Sequence, residues 1–437
     1  MNRLILKALT QWRHTSNRPV LLLRGARQVG KTWVIREFGR GFPSFVEINF
    51  ERDPVLASAF LPSLSPVEIL SKLSAYTGKR IIPGETMLFL DEIQSCPAAL
   101  RSLRFFYEEQ PALHLIAAGS LLEFAIEEIP SFGVGRIASM FLHPMCFGEF
   151  LDAVGMGPLN DALLNASPVK PLDEFLHARL LDQLRTFQLI GGMPAVVAAY
   201  CESRDILSCQ PILDRLLDGF RADFAKYRKR MPAARLDETL YSVVHQAGAK
   251  FKYANVSQDA PGRVYRDSLE LLVQAGLVHK IVHSSGNGLP LGAEANPKKF
   301  KAMLFDIGLH QRMLGLDLGA HLLCDGVSLV NKGNLAEVFT GLEMIAASAP
   351  HERPALHYWQ REQKSSNAEV DYLAICDGAV VPVEVKAGIR GQMQSLHLFM
   401  KEHQSRFGIR VSHENFGSIE RIRILPLYAA SHVSRQQ

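Results

Sequence analysis

Two stretches of this sequence carry residue types at spacings suited to phosphate chemistry. The first is Gly25-Ala26-Arg27-Gln28-Val29-Gly30-Lys31-Thr32, which fits G-x-x-x-x-G-K-T. It follows the apolar run Val20-Leu21-Leu22-Leu23 and precedes a helical stretch, the context in which such a loop holds a nucleotide. Its glycines let backbone N–H groups close around phosphate oxygens, and the next helix N-terminus favours negative charge. The whole loop from Gly25 to Thr32 is therefore expected to bind ATP. Lys31 would reach the β- and γ-phosphates, and the Thr32 hydroxyl would hold Mg2+. Downstream, Met87-Leu88-Phe89-Leu90 leads into Asp91-Glu92. A carboxylate at the C-terminal end of a strand sits beside the phosphate loop in such sheets. Asp91 is expected in the magnesium shell and Glu92 as the group that polarises the attacking water. A helix cap is the plain alternative for either.

The second stretch runs from Glu369 to Lys386 and includes Glu369-Val370-Asp371, Asp377-Gly378 and Val383-Glu384-Val385-Lys386. Asp-Gly between two apolar runs is a strong hairpin signal. With Asp377-Gly378 as the turn, Asp371 faces Glu384 and Glu369 faces Lys386, and alternation puts all four on one face. Opposed like charges at about 5 Å are destabilising. A divalent cation, Mg2+ or Mn2+, is the expected remedy, with Asp371 and Glu384 as its ligands. Lys386 would then orient a water nucleophile or stabilise a pentavalent phosphate. The alternative is a solvated face with a Glu369–Lys386 ion pair.

These residues must be positioned by a chain of 437 residues, long enough for about three domains at roughly 150 residues each. Near-continuous apolar strands at Val20–Leu23, Phe45–Phe50, Met87–Leu90, His114–Ala118 and Ile137–Leu142 alternate with helix-length segments. That pattern predicts a parallel sheet buried on both faces over 1–150. The Gly-, Pro-, Asn- and Ala-rich stretch from Leu151 to Leu172 reads as a connection. Helical patterns from Asp173 to Arg230, interrupted by Gly191-Gly192-Met193-Pro194, make 151–235 a helical extension. Helices, a strand at Leu277–His283, a loose excursion from Ser284 to Pro297 and a strand at Met303-Leu304-Phe305 give 236–310 the order of a winged helix. A helix near Asn334–Ala346, strands around His357, Val370 and Val383, and a helix from Gln392 make 311–437 an α/β domain.

Composition narrows the partners. Hydrophobic residues at 47% and charged residues at 21% exclude wholesale disorder. The net charge of +4 is too small to demand a nucleic-acid partner by itself. No stretch approaches the ~18 apolar residues of a membrane span. The scattered cysteines Cys96, Cys146, Cys201, Cys209, Cys324 and Cys376 fit reduced thiols, so a cytoplasmic, membrane-free protein is expected. Arg221, Lys226, Arg228, Lys229 and Arg230, interleaved with Phe224 and Tyr227, could follow a phosphate backbone, although a solvated helix end is the commoner meaning. Arg263 and Arg266 begin the helix that would enter a DNA groove.

Taken whole, the phosphate loop, Asp91-Glu92, Gly191-Gly192-Met193-Pro194, the winged-helix-like segment and Val383-Glu384-Val385-Lys386 resemble a prokaryotic family. It comprises AAA-type ATPases with a C-terminal domain of unknown function related to PD-(D/E)xK nucleases. The resemblance spans nearly the whole chain, except that no proline precedes Asp371. It implies an α/β protein: a P-loop parallel-sheet ATPase domain, a helical and winged-helix middle, and a restriction-endonuclease-like C-terminal domain. It further implies a polar γ-phosphate sensor, for which Ser120 in Ala118-Gly119-Ser120 is the candidate beside a plain turn serine. Arg136 precedes the fifth strand, where an arginine finger acting in trans would require a homo-oligomer; a surface arginine is the alternative. In the C-terminal domain it implies metal-assisted phosphodiester hydrolysis by Asp371, Glu384 and Lys386, with Glu337 or Glu343 as a further ligand. The expected function is an ATP hydrolase whose nucleotide cycle controls a nuclease-like domain acting on DNA. The competing expectation is a nucleotide-driven switch that binds a protein and cuts nothing.

Overall fold

The computed structural model describes residues 2–120, 122–127, 135–227, 231–318, 332–361, 368–388 and 393–436. By contact they form two compact units. One contains Asn2–His143 with Ala349–Arg353, and the other contains Pro144–Ser348 with Pro354–Gln437.

The first unit is built on five strands at the places the apolar runs predict. These are β1 (Val20–Arg24), β2 (Ser44–Asn49), β3 (Thr86–Asp91), β4 (His114–Ala118) and β5 (Ile137–Phe141). All neighbours pair in parallel, in the order β2-β3-β4-β1-β5. β3 and β4 are buried along their whole length, because helices such as Lys31–Gly39 and Pro97–Glu109 carry the connections between parallel strands. β4 lies between the strand ending in the phosphate loop and the strand ending in Asp91. A parallel sheet aligns its carboxyl ends, so Arg24, Asp91 and Ala118 end their strands on one edge.

The second unit holds a mixed sheet of eight strands. They are β6 (Val278–Ser284), β7 (Ala295–Leu304), β8 (Leu356–Gln360), β9 (Glu369–Cys376), β10 (Ala379–Val385), β11 (Gly408–Ser412), β12 (Gly417–Ile419) and β13 (Ile422–Pro426). Their order is β12-β13-β11-β10-β9-β8-β6-β7. The helices Ala233–His245 and Gly262–Gln274 do precede the β6–β7 hairpin. That hairpin is continuous with the C-terminal sheet through parallel pairing of β6 with β8, so the sheet runs across the boundary expected at 310. The stretch Leu151–Leu172 is not a bare connection. It contains the end of one helix, Phe147–Ala153, and all of another, Gly157–Leu164. Pro158 lies in the first turn of the second, where a missing N–H is harmless, so it starts the helix rather than breaking it.

Gly191-Gly192-Met193-Pro194 acts as a structural lock in this unit. A Cβ on Gly191 would lie 2.4 Å from Asp306 Oδ1, and one on Gly192 would lie 2.0 Å from Met145 O. Gly192 N donates to Asp306 Oδ2 (2.7 Å) while Leu309 N donates to Asp306 Oδ1 (2.9 Å), so one buried carboxylate caps the helix Ile307–Met313 and ties it to the glycine turn. Pro194 then begins the helix Pro194–Ser203. Removing that carboxylate strands two buried donors. Asp306→Ala should lower the unfolding free energy by about 1–3 kcal/mol in urea titrations; a loss below about 0.5 kcal/mol would refute the lock.

Candidate functional site

The loop Gly25–Thr32 joins β1 to the helix Lys31–Gly39. Its geometry needs the glycines: Gly25 has φ +141° and a Cβ there would meet Leu142 O at 2.1 Å, and Gly30 takes φ 96° at the helix N-cap. Gln28 also has a positive φ. Ala26 and Val29 are buried, anchoring the loop through their side chains, so what they offer a ligand is backbone. Lys31 Nζ folds over the loop, donating to Gly25 O (2.9 Å) and Ala26 O (2.8 Å). Burial lowers the Lys31 ammonium to about 8, against the pull of Glu92 and Asp91.

Thr32 Oγ1 donates to Asp91 Oδ2 (3.2 Å), bringing the two expected magnesium ligands together from different elements. Asn49, at the end of β2, donates to the same oxygen (3.1 Å). Burial, and secondarily Glu92, push the Asp91 carboxyl up. A hydroxyl and a buried carboxylate beside a phosphate-binding loop are hard oxygen donors, and they fit Mg2+ completed by waters and phosphate oxygens. Asn49 was missed in the sequence; its only signal is its place at the end of a strand neighbouring β3.

Glu92 adopts the left-handed conformation (φ 51°) directly after β3. Its Oε2 accepts from Gln94 Nε2 (2.6 Å), Ser120 N (3.2 Å) and Ser120 Oγ (3.1 Å). Ser120 thus stands beside the expected catalytic carboxylate. Close approach here requires Gly119, since a Cβ on it would lie 2.0 Å from Gln94 Oε1. Arg136 is exposed and pairs with Glu108 (2.5 Å) on the same chain, so acting in trans would mean leaving that partner.

The hairpin β9–β10 has the expected register. Cys376 pairs with Ala379 and Tyr372 with Val383, and the turn residues Asp377 (φ 51°) and Gly378 (φ 69°) both have positive φ. The ladder ends at Tyr372 and Val383, one step before Asp371 and Glu384. Asp371 Oδ2 accepts from Val385 N (2.8 Å), and Lys386 Nζ pairs with Glu384 Oε1 (2.5 Å). Glu369 is not paired with Lys386, as the solvated alternative supposed. Its partner is Lys301, a residue of β7 that the sequence reading did not single out.

Lys301 Nζ lies 2.8 Å from Glu337 Oε1, 2.6 Å from Glu369 Oε1 and 3.8 Å from Asp371 Oδ1. Its side chain is only 1% exposed. Burial alone would lower this lysine, but Glu337, Asp371 and Glu369 together hold it above the usual value. Burial and Asp371 raise Glu384 to about 7, and Glu384 Oε2 is buried without a hydrogen-bond partner. Among the described residues, no group of three or more His, Cys, Asp or Glu side chains is arranged to hold a metal ion. Glu337, Glu369 and Asp371 converge on one cation, the Lys301 ammonium, and Glu384 stands beside Asp371.

Of the two further glutamates considered, Glu337 joins this face and Glu343 does not. Glu343 Oε1 accepts from Phe147 N (2.9 Å), capping the helix Phe147–Ala153. Phe224, expected to be displayed among basic residues, is buried, and Arg221 pairs with Asp237 (2.9 Å). The side chains of Lys226 and Tyr227, and residues Arg228, Lys229 and Arg230, lie outside the described residues. Arg263 and Arg266 are exposed in the first two turns of the helix Gly262–Gln274. None of the described cysteines forms a disulfide, and Cys324 lies outside the described residues. No described helix is long and apolar enough to cross a membrane.

Comparison with known proteins agrees with the geometry of the first unit. Residues 17–151 match the family model of an AAA domain. Residues 181–319 and 332–430 match two families described as domains of unknown function, DUF8612 and DUF4143. No curated protein matches the chain. Among solved structures, a Walker-type ATPase of Pyrococcus abyssi is 16% identical with a TM-score of 0.46, covering 71% of this chain and 94% of that one. The Orc1 protein of Aeropyrum pernix in complex with DNA is 14% identical with a TM-score of 0.28, covering 73% and 92%. A signal-transduction ATPase of Pyrococcus horikoshii with a tetratricopeptide-repeat sensor is 12% identical with a TM-score of 0.27, covering 78% and 45%. The phosphate loop, the parallel sheet and the matched model agree in making residues 17–151 similar to an AAA domain.

Glu343 supplies a pH test. Burial raises its carboxyl from 4.5 to about 8, so the folded chain binds that proton more tightly than the unfolded chain. This stabilisation is full below the ordinary glutamate range and is lost as pH rises through about 8. Thermal unfolding midpoints should fall between about pH 5 and pH 8. Glu343→Gln keeps the acceptor for Phe147 N and should flatten part of that fall; an unchanged slope would contradict the assignment.

Proposed function

We propose that the chain is a cytoplasmic, Mg2+-dependent ATP hydrolase of the AAA type whose nucleotide state controls the C-terminal unit. The observation that carries this reading is the grouping of Lys31, Thr32, Asp91 and Glu92 at the carboxyl edge of one parallel sheet. Loop N–H groups and Lys31 bind the phosphates, and nearby phosphates hold the Lys31 ammonium charged despite its burial. Thr32 and Asp91 would hold Mg2+, which would supply charge neutralisation to the phosphates. Glu92 accepts a proton from the attacking water once its oxygen is released from Ser120 and Gln94. Ser120 thereby reports on the γ-phosphate through the carboxylate it holds. A trans-acting Arg136 would make the active form a homo-oligomer.

The C-terminal unit has two readings. In the first, Asp371, Glu384 and Lys386 cut DNA held by Arg263 and Arg266, with Mg2+ or Mn2+ bound by the two carboxylates. In the second, the nuclease-like face binds a protein partner and cuts nothing. Lys301 favours the second reading. Its ammonium stands among Glu337, Glu369 and Asp371, so Asp371, one of the two carboxylates that would hold the ion, already faces a cation.

One preparation tests both parts. ATP turnover should vanish in Lys31→Ala, fall by about 100-fold or more in Glu92→Gln, and persist in Glu384→Ala. Supercoiled plasmid should stay intact with Mg2+ or Mn2+, with or without ATP. Turnover surviving Lys31→Ala would overturn the ATPase assignment, whereas nicking that disappears in Glu384→Ala would restore the nuclease reading.

A further inference from the structure

The carboxylate face of the C-terminal unit joins residues from three separated parts of the chain. Glu337 comes from the helix Lys332–Ala346, Glu369 and Asp371 from β9, and Glu384 from β10. Carboxylates this close repel one another, and out of water the repulsion is stronger. Lys301 supplies the answer from β7. Its Nζ is within 4 Å of three of them and 5.3 Å from the centre of the Tyr358 ring, with the side chain 1% exposed.

The facing oxygens are already engaged. Glu337 Oε1, Glu369 Oε1 and Asp371 Oδ1 face the Lys301 ammonium, Asp371 Oδ2 accepts from Val385 N, and Glu384 Oε1 pairs with Lys386. A divalent ion shared by Glu337 and Asp371 would need the volume that Nζ occupies. It would also meet the repulsion of an ammonium whose side chain is only 1% exposed. Glu384 Oε2, buried without a hydrogen-bond partner, shows that the face keeps capacity for a positive partner.

We infer that Lys301 is a built-in cation that occupies the position of a divalent metal, so the C-terminal face is compensated without metal and becomes a metal site only when Lys301 is removed. This deepens the non-cleaving reading of the C-terminal unit and rests on it. It makes Lys301, distant in sequence from the hairpin, the residue that decides whether the face can take part in metal-assisted hydrolysis.

The test is calorimetric titration of the full-length chain with Mn2+ in the absence of nucleotide. All proteins carry Asp91→Asn, so that the first unit contributes no heat. With Lys301 present, no saturable site is expected. Lys301→Met should create a site at least about tenfold tighter than any residual binding, and adding Asp371→Asn should abolish it. Circular dichroism melts establish that each variant is folded. Should Lys301→Met fail to fold, Lys301→Met with Glu369→Gln removes one negative charge along with the positive one and should show the same new site. A saturable, Asp371-dependent Mn2+ site in the presence of Lys301 would overturn the inference. So would folded Lys301 variants that bind no Mn2+. Neither outcome bears on ATP turnover, and plasmid nicking reads the non-cleaving proposal separately.

Discussion

A carboxylate withdrawn from water must be met by a positive partner or by hydrogen-bond donors, and both candidate sites of this chain are organised around that requirement. In the first unit the buried Asp91 is met by donors from Thr32 and Asn49, beside a loop shaped for phosphate. In the function proposed here, full compensation would come from a cation bound with the nucleotide. In the second unit the compensation is internal, because Lys301 stands among Glu337, Glu369 and Asp371. Similar chemistry on two sheets therefore has different consequences. On the proposed function the first arrangement waits for a ligand, whereas in the second an ammonium already stands among three of the carboxylates.

The same requirement explains features that carry no chemistry. Asp306 is buried because Gly192 N and Leu309 N meet both its oxygens, and that pairing needs the bare backbone of Gly191 and Gly192. The glycine turn that resembles a family signature is thus a packing device. Glu343, in the sequence an ordinary helix residue, caps a neighbouring helix through Phe147 N. Burial of these groups adds pH sensitivity to the second unit without adding a site.

The first unit was largely legible in the sequence. Its strands are short apolar runs punctuated by glycine and charge, and all five fall where those runs predict. The phosphate loop and Asp91 were legible because their neighbours in space are fixed by strand ends in a parallel sheet. The β9–β10 register was legible for a similar reason, since Asp377-Gly378 determines which residues face each other. Lys301 was not legible. It is one of three lysines in the run Pro297-Lys298-Lys299-Phe300-Lys301, whose composition gives no sign of burial, and only the path of β7 buries one of these lysines among carboxylates. Nor was the continuity of β6 with β8, because pairing between strands some 70 residues apart leaves no local pattern. Leu151–Leu172 misled because Pro158 starts a helix there instead of ending one.

The most direct measurement is the number of Mn2+ ions held by the full-length chain, counted by electron paramagnetic resonance with and without a non-hydrolysable ATP analogue. A single ion that appears only with the analogue, and that persists in Asp371→Asn, is the expected result. An ion held without nucleotide and lost in Asp371→Asn would contradict the division between a ligand-dependent first site and an internally compensated second one.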